Sequence, residues 1–379
     1  MKLNKSEFKG AVARISNAIP KKAIIQNLCN VLFESKDGVI KLTGSDVSHI
    51  CYTTFKAEGV EDVSFTVNCE KLKKALAMRG NEITLTYHEA PNEHISISNG
   101  VTSVDLECLP VYDYPAFNKP TASHIRKISA KKFVEIVNKV KFAACRDNSR
   151  KALQGVYVNF TKDEMQIFCT DGKRIAYCSE PCAELLDNDT FGFNLPMKSI
   201  EIINNLNVTA TQNEDKTWIE PEVTINASET TVEFIQDDFA TTTKVITEKP
   251  PVDSILGMIN GGTVFTEASS SFTVESVNIA ESLKFINSLC EPSSGVKISR
   301  KENKVHFSVK NGTQNIDDEI EIENIKDGEI EINCNIQYLM EPIASFSVEK
   351  VAFEMSEPLK PFFIMANNYK YLLMPLRTN

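Results

Sequence analysis

Six times along the chain, at intervals near 60 residues, a short alternating or polar stretch ends in a residue suited to cap a helix. Each then passes into an amphipathic run of 10 to 14 residues. The runs are NKSEFKGAVARISNA from Asn4, NCEKLKKALAMR from Asn68, SAKKFVEIVNKVKF from Ser129, PMKSIEIINNL from Pro196, NIAESLKFINSL from Asn278 and NIQYLMEPIASF from Asn335. Each reads as a helix, the last weakened by Pro342. Between them, VIKLTGS, EITLTYHE, HISISNG, SVDLECL, GVYVNF, MQIFCT, EVTINAS, TVEFIQ, VKISR, KVHFSV, EIEI and FFIMAN alternate with period two and read as strands. Corresponding helices lie 125 and 149 residues apart in one series, and 128 and 139 in the other. This spacing predicts an α+β fold of three similar domains, each with two helices and antiparallel sheets. The Pro-rich YPAFNKPTASH and the segment TEKPPVD read as linkers, which sets the domains at 1–122, 123–250 and 251–379.

The length of 379 residues corresponds to roughly 2.5 domains at about 150 residues each and allows a core without metals or disulfides. No stretch approaches the roughly 20 apolar residues of a membrane span, and MKLNKSEFKG lacks the pattern of a secretory signal. A cytoplasmic address with no membrane partner is expected. The ten cysteines are scattered; the closest pair, Cys178 and Cys182, has no companion at zinc-site spacing, so most are expected to be buried thiols.

With 41 Lys and Arg against 51 Asp and Glu, the net charge of −10 disfavours binding nucleic acid over the whole surface. The distribution is uneven, however. The six helical windows hold 14 Lys or Arg against 6 Asp or Glu, a net of +8, leaving −18 elsewhere. Either the helices share a surface that neutralises phosphates, or the basic residues are ordinary solvated helix faces.

Signatures of catalysis are missing. No GxGxxG joins a strand to a helix, and neither a GxxxxGK loop nor HExxH occurs. His49, His88, His94, His124 and His306 form no ligand-spaced cluster. No catalytic residue, metal or cofactor is therefore assigned. The acidic run DDEIEIENIKDGEIE reads as strand with one wet and one buried face. In FCTDGKRIAYCSEP, Thr170, Asp171 and Gly172 form a turn and Lys173 and Arg174 open the next strand, a hairpin signal. In YKYLLMPLRTN, the apolar run through Leu372, Met374, Pro375 and Leu376 is either an edge strand leading into a surface pocket or a last core strand ended by Pro375.

Over its whole length the chain resembles the bacterial replicative sliding clamps, the beta subunits of the chromosomal polymerase. The resemblance rests on LTGSD at 42–46, LPVYDYPAF at 109–117, TDGKRIA at 170–176, LPMKSIEII at 195–203, FINSL before Gly295, INCNIQYL at 332–339 and YLLMPLR at 371–377. It implies three domains per chain with helices inside and sheets outside, and two chains closed head to tail into a homodimeric ring around double-stranded DNA. A non-enzymatic processivity factor follows, with the replicative polymerase catalytic subunit, the clamp loader and other proteins carrying a clamp-binding motif as partners.

By position, Lys22 and Arg150 match the family's basic residues near DNA. Lys71, Lys74, Arg79, Lys132 and Lys198 are assigned to the channel because they lie on or next to the helices. The family's peptide pocket maps onto Leu153, Thr170, Gly172, Lys173, Arg174, Ile175, Pro251, Leu256, Asn335, Tyr338, Leu359, Pro361, Leu372, Met374, Pro375, Leu376 and Arg377. The chain also departs from the pattern. Lys173 stands where a histidine is common, Ile255 where an arginine is frequent, KPPVD replaces an FPDY-like segment, and Thr378 and Asn379 extend past the usual stop. These departures leave partner-peptide preference open and are compatible with a divergent cellular clamp or one carried by a phage or other mobile element. Two alternatives of different class are a DNA-dependent enzyme with an acidic metal site in EIEI and DGEIE, and a protein-interaction module that does not encircle DNA.

Overall fold

The computed structural model describes the chain apart from residues 58, 115–120, 122, 182–189, 214, 261–267, 292–293, 312–313, 327, 329 and 378–379. Most of the first linker, the end of the 109–117 motif, Cys182, two acidic residues of the DGEIE segment and the terminal Thr378 and Asn379 lie outside the described residues.

The repeated unit is a strand that runs directly into a helix. Lys2–Asn4 leads into α1 (Lys5–Ser16), Val63–Asn68 into α2 (Cys69–Ala75), His124–Ser129 into α3 (Ala130–Val140) and Phe191–Pro196 into α4 (Met197–Ile203). After an additional helix, α5 (Val252–Ile259), Ser270–Glu275 leads into α6 (Ser276–Ser288) and Glu331–Asn335 into α7 (Ile336–Ser345). At four of the junctions the last strand residue works as a cap, whereas Glu275 before α6 makes no side-chain cap bond. The Oδ1 atoms of Asn4, Asn68 and Asn335 accept from the backbone N–H three residues on, at 3.1, 3.0 and 3.0 Å, and Ser129 Oγ accepts from Lys132 N at 3.3 Å. Helix α6 begins at Ser276, so Asn278 lies inside its first turn rather than opening it.

Pro342 does not end α7, which continues to Ser345. A proline there withholds the N–H that would bond the carbonyl of residue 338, and Tyr371 Oη supplies the missing donor at 2.8 Å from Tyr338 O.

Pairing repeats three times, and every ladder among the described residues is antiparallel. The strand before the first helix pairs with the strand after the second: Lys2–Asn4 with Glu82–His88, His124–Ser129 with Glu222–Ala227, and Ser270–Glu275 with Lys350–Met355. The strand before the second helix pairs with the strand after the first: Val63–Asn68 with Asn30–Lys36, Phe191–Pro196 with Gly155–Phe160, and Glu331–Asn335 with Gly295–Lys301. Hairpins complete each half. Repeat two carries an insertion, the short ladder of Thr211–Gln212 with Trp218–Ile219.

Neighbouring repeats share sheets. His49–Lys56 of repeat one pairs with Phe239–Lys244 of repeat two, and Arg174–Pro181 of repeat two pairs with Tyr369–Leu373 of repeat three. Sheets of twelve and nine strands result, beside one of four. The chain accordingly divides into two compact units, one built on Met1–Val134 with Lys198–Val245, the other on Glu135–Ala183 with Ile246–Asn379 and the strand Phe191–Pro196. Repeat two contributes to both, because each of its halves shares a backbone ladder with a different neighbour.

Alternation along the strands sends Phe33 and Phe65 into one core, stacked at 4.6 Å between ring centroids, and Phe272 and Phe353 into another at 4.9 Å. Cys51, Cys69, Cys108, Cys145, Cys169, Cys178 and Cys334 are buried, while Cys29 and Cys290 are half-buried. Burial pushes the thiols of Cys51, Cys108 and Cys178 up to about 12 and that of Cys69 to about 11. Since the thiolate is the nucleophile, iodoacetamide at pH 8 should modify Cys29 and Cys290 in the native protein. The seven buried thiols should stay unmodified until the chain is unfolded, as read by peptide mass.

Candidate functional site

The TDG turn is built by its own side chains. Thr170 Oγ1 donates to Arg174 O at 2.6 Å and accepts from Gly172 N at 3.0 Å, and Asp171 Oδ1 accepts from Lys173 N at 2.9 Å. Gly172 sits at φ +86°, and a Cβ there would come within 3.0 Å of the Arg150 guanidinium. Both facts explain a glycine at this position.

Arg174 is only 6% exposed. Its Nε donates to Asp171 Oδ2 at 2.9 Å, one terminal nitrogen to Glu341 of α7, and the other to Phe142 O at 3.0 Å. Its guanidinium also lies 4.0 Å from the centroid of the Tyr338 ring. Burial works against the charge, but the carboxylates of Glu341 and Asp171 outweigh it and hold Arg174 protonated. The residue thus fastens the hairpin turn to α7.

Beside this turn the last strand enters the same sheet, with Arg174 opposite Leu373 and Ile175 opposite Leu372. Met374 N donates to Lys173 O at 3.0 Å and extends the ladder by one bond; Pro375 has no N–H, and Leu376 N turns to Asn333 O at 2.6 Å. Tyr369–Leu373 is bonded on both edges, to Arg174–Pro181 and to Phe362–Ala366, so the edge-strand reading fails and the reading as a core strand ended by Pro375 stands. Leu372 is 2% exposed and belongs to the core, whereas Met374 and Leu376 are 43% and 38% exposed.

The apolar floor contains Tyr157, Phe168, Ile175, Tyr177, Phe363 and Leu372, joined by Ile255 and Ile259 of α5, with Leu256 packed against it. Helix α5 is hidden in sequence by the linker-like TEKPPVD segment, although Val252 already opens the helix. The signal was available in VDSILGMI, whose apolar residues at 252, 255, 256 and 259 keep helical spacing behind Pro251. Ile255, where the family resemblance leads one to expect arginine, is buried here and serves packing.

A cleft of about 640 Å³ adjoins this surface, lined by Arg150, Lys151, Ala152, Leu153, Glu248 and Pro251 among others. The proposed pocket residues thus fall into two groups. Leu153, Leu256, Leu359, Met374, Pro375 and Leu376 offer half-buried or exposed apolar surface, with Lys173, Pro251 and Arg377 exposed among them. Thr170, Gly172, Arg174, Ile175, Asn335, Tyr338, Pro361 and Leu372 hold the turn, the floor and α7 in place, and Asn335 does so as the α7 cap.

The basic residues also divide. Lys71 and Lys74 on α2, Arg79 just beyond it, Lys22 after α1 and Lys132 on α3 are exposed. Lys198 on α4 is ion-paired with Asp46, which His49 Nδ1 contacts at 3.0 Å. Partial burial opposes charge on Asp46, yet His49 and Lys198 hold its carboxyl well below the usual range. Arg14 pairs with Asp238, Lys73 with Glu70 and Lys139 with Glu135. Arg150 lines the cleft and donates to Asp171 O at 3.3 Å. Of the residues assigned to the channel, Lys71, Lys74 and Arg79 place exposed positive charge on and just after α2.

In the acidic run, Glu319, Glu321, Glu323 and Glu331 are exposed and alternate with the buried Ile320, Ile322 and Ile332. No group of three or more potential metal ligands converges among the described residues.

Compared with known protein families, residues 127–251 match the DNA polymerase III beta subunit, central domain, and residues 264–377 match the C-terminal domain of the same subunit. Together these cover well over half of the chain. A beta sliding clamp from Treponema pallidum is 25% identical over 386 residues, covering 99% of this chain and 98% of the relative. One from Rickettsia bellii is 27% identical over 194 residues, covering 51% and 50%. Among solved structures, the DNA polymerase III beta subunit of Thermotoga maritima superimposes with a TM-score of 0.84 at 22% identity, over 100% of this chain and 99% of that one. The Pseudomonas aeruginosa sliding clamp bound to griselimycin does so with 0.88 at 18%, over the same shares. These two likenesses establish the fold.

Replacing Arg174 by alanine leaves Asp171 and Glu341 without their cation. It should lower unfolding stability by about 3 kcal/mol or more, measured by urea denaturation.

Proposed function

Because the chain belongs to the DNA polymerase III beta-subunit family, the bacterial sliding clamps, we propose that it encircles duplex DNA as a homodimer and tethers the replicative polymerase as a processivity factor. The observation that carries this reading is the pair of family matches on a chain whose strand-to-helix unit recurs six times in three equivalent repeats. The three domains are 1–122, 123–250 and 251–379. Two copies close head to tail through the two strand edges that no neighbouring repeat covers, the protein works in the cytoplasm, and a clamp loader opens and closes the ring.

The mechanism needs no bond to be broken. A ring that is topologically linked to DNA cannot diffuse away, so a polymerase docked on it meets the primer end at high effective concentration. Sliding requires contacts to the phosphate backbone that are many, weak and indifferent to sequence, which lysines on helices provide and base-reading contacts would spoil. Lys22, Lys71, Lys74, Arg79, Lys132, Arg150 and Lys198 are the proposed phosphate contacts, with the α2 pair carrying most weight because Lys198 already answers Asp46. The acidic remainder of the surface disfavours DNA outside the channel.

Partner peptides dock on the exposed apolar side chains of Leu153, Leu256, Leu359, Met374 and Leu376, over a floor stiffened by Arg174 and α5. A leucine or phenylalanine anchor buried there gains about 1.5–3 kcal/mol per side chain. Polymerase, loader and other clamp-binding proteins compete for this one surface.

Changing Met374 and Leu376 together to alanine should weaken binding of the polymerase's clamp-binding peptide about tenfold or more, by fluorescence anisotropy, with sedimentation of the dimer unchanged. Unaltered peptide affinity in a folded dimer would defeat the pocket assignment. Reversing Lys71, Lys74 and Lys132 to glutamate should shorten retention on nicked circular DNA after loading while peptide affinity stays as it was. Equal retention on circular and linear DNA by the unmodified protein would rule out encirclement.

A further inference from the structure

The two junctions between repeats within the chain follow one rule. Residues 49, 51 and 53 of repeat one face 243, 241 and 239 of repeat two, and residues 174, 176 and 178 of repeat two face 373, 371 and 369 of repeat three. The ladders within each repeat align these strands residue for residue, so the register is the same at both junctions. Repeat three has a strand in the corresponding place, Gln314–Glu321, paired among the described residues only with Lys304–Asn311. Repeat one has the complementary strand, Ser103–Leu109, bonded along one edge to His94–Ser98 and on the other only through Cys108 and Leu109. Carrying the register over sets Ile316 opposite Val104, Asp317 opposite Ser103 and Asn315 opposite Asp105.

Two exposures fit this pairing. The rung equivalent to Ile316 and Val104 is Cys51 with Thr241 at one internal junction and Ala176 with Tyr371 at the other, all at most 2% exposed. Ile316 and Val104 are instead half-buried, as a rung without its other half would be. Ten residues after the strand-to-helix junction, α1 has Arg14, α3 has Lys139 and α6 has Phe285. Arg14 pairs with Asp238, and the Lys139 carbonyl accepts from Tyr369 Oη at 3.0 Å, next to Asn368. In repeat one the equivalent of Asp238 and Asn368 is Val101. Phe285 is 55% exposed and Val101 95%, so an ion pair inside the chain is matched by two uncovered apolar side chains at the ends that would meet.

The charges differ as well. On the opposite face of these ladders the internal junctions set Ile50 and Tyr52 beside Ala240 and Thr242, and Ile175 and Tyr177 beside Lys370 and Leu372, with no like-charged pair. The corresponding face of the open edges carries Asp317, Glu319 and Glu321 on one side and Asp105 and Glu107 on the other, all exposed. On these strands and the strands paired with them cations are few, although the exposed Arg79 and Lys284 lie close to Val101 and Phe285 by hydrogen bond or in sequence. Lys304 is engaged by Glu319, Lys310 lies opposite Asn315, and His306 and His94 lie opposite Glu319 and Glu107.

Building on the ring reading, we propose that two copies close each junction in this register, Ile316 against the partner's Val104 and Phe285 over the partner's Val101. Asp317 then shares a face with the partner's Asp105, so closure is an apolar contact made against like charge and tightens as salt is added. Diagonal neighbours on such a face lie roughly 7–8 Å apart, within the screening length of dilute buffer. Salt removes the repulsion and leaves the apolar contact in place, the reverse of an interface held by ion pairs.

The test is sedimentation of the full chain over a concentration series. The dimer Kd should fall severalfold between 50 and 500 mM NaCl. The surface variant Asp105→Asn with Asp317→Asn should dimerise about threefold or more tightly at 50 mM and lose most of the salt response. Val104→Glu should give monomers, and adding Ile316→Lys in the same chain should restore the dimer, because each ring has two identical junctions. A dimer that loosens with salt, or is indifferent to neutralising both aspartates, overturns the inference and leaves the ring standing. A chain that stays monomeric at every concentration and salt overturns the ring itself.

Discussion

The N–H and C=O groups along an open sheet edge demand partners, and the three repeats of this chain meet that demand by lending edges to one another. His49–Lys56 takes Phe239–Lys244, and Arg174–Pro181 takes Tyr369–Leu373. Everything else follows from those ladders. They weld sheets from neighbouring repeats, they split repeat two between two compact units, and among the described residues they leave Gln314–Glu321 of repeat three and most of one side of Ser103–Leu109 of repeat one without such a partner. A linear array of such units must either protect its outer edges or use them.

The second of these ladders also creates the candidate peptide surface. Where Ile175 meets Leu372 the sheet is covered by α5, and where the ladder ends at Met374 the chain turns across Asn333. The exposed side chains that a peptide would touch are thus the immediate continuation of a buried seam. Arg174, with carboxylates from two elements and a tyrosine face around it, keeps the seam in register. A groove founded on such a joint is rigid underneath and variable only in its exposed fringe, which suits the proposed docking of several partners on one surface.

The six repeated helices and many of the strands were legible because their signals are local: period-two alternation, an asparagine or serine cap and an amphipathic run lie within a dozen residues. The caps at Asn4, Asn68 and Asn335 are the clearest case. Phe239–Lys244, with three buried threonines and no apolar alternation, was not legible, and neither was its partner His49–Lys56. Helix α5 was obscured because the lysine and two prolines ahead of it outweighed an eight-residue pattern. What sequence could not show is which charges are already spent. Arg14 and Asp238 are 224 residues apart, Arg174 and Glu341 167, and Lys198 and Asp46 152. No window of sequence contains both members of such a pair, so Arg174 looked like a groove residue and Lys198 like an uncommitted channel lysine.

The hydroxyl of Tyr371 completes the proline-interrupted turn of α7 from the chain's last strand. A helix with an ordinary residue at 342 would close that turn by itself and could outlast the departure of its neighbour. Here the terminal strand cannot peel away without stripping a bond from the helix, and the helix cannot fray without unseating Tyr371. Amide hydrogens in the two elements belong to one cooperative opening event rather than two.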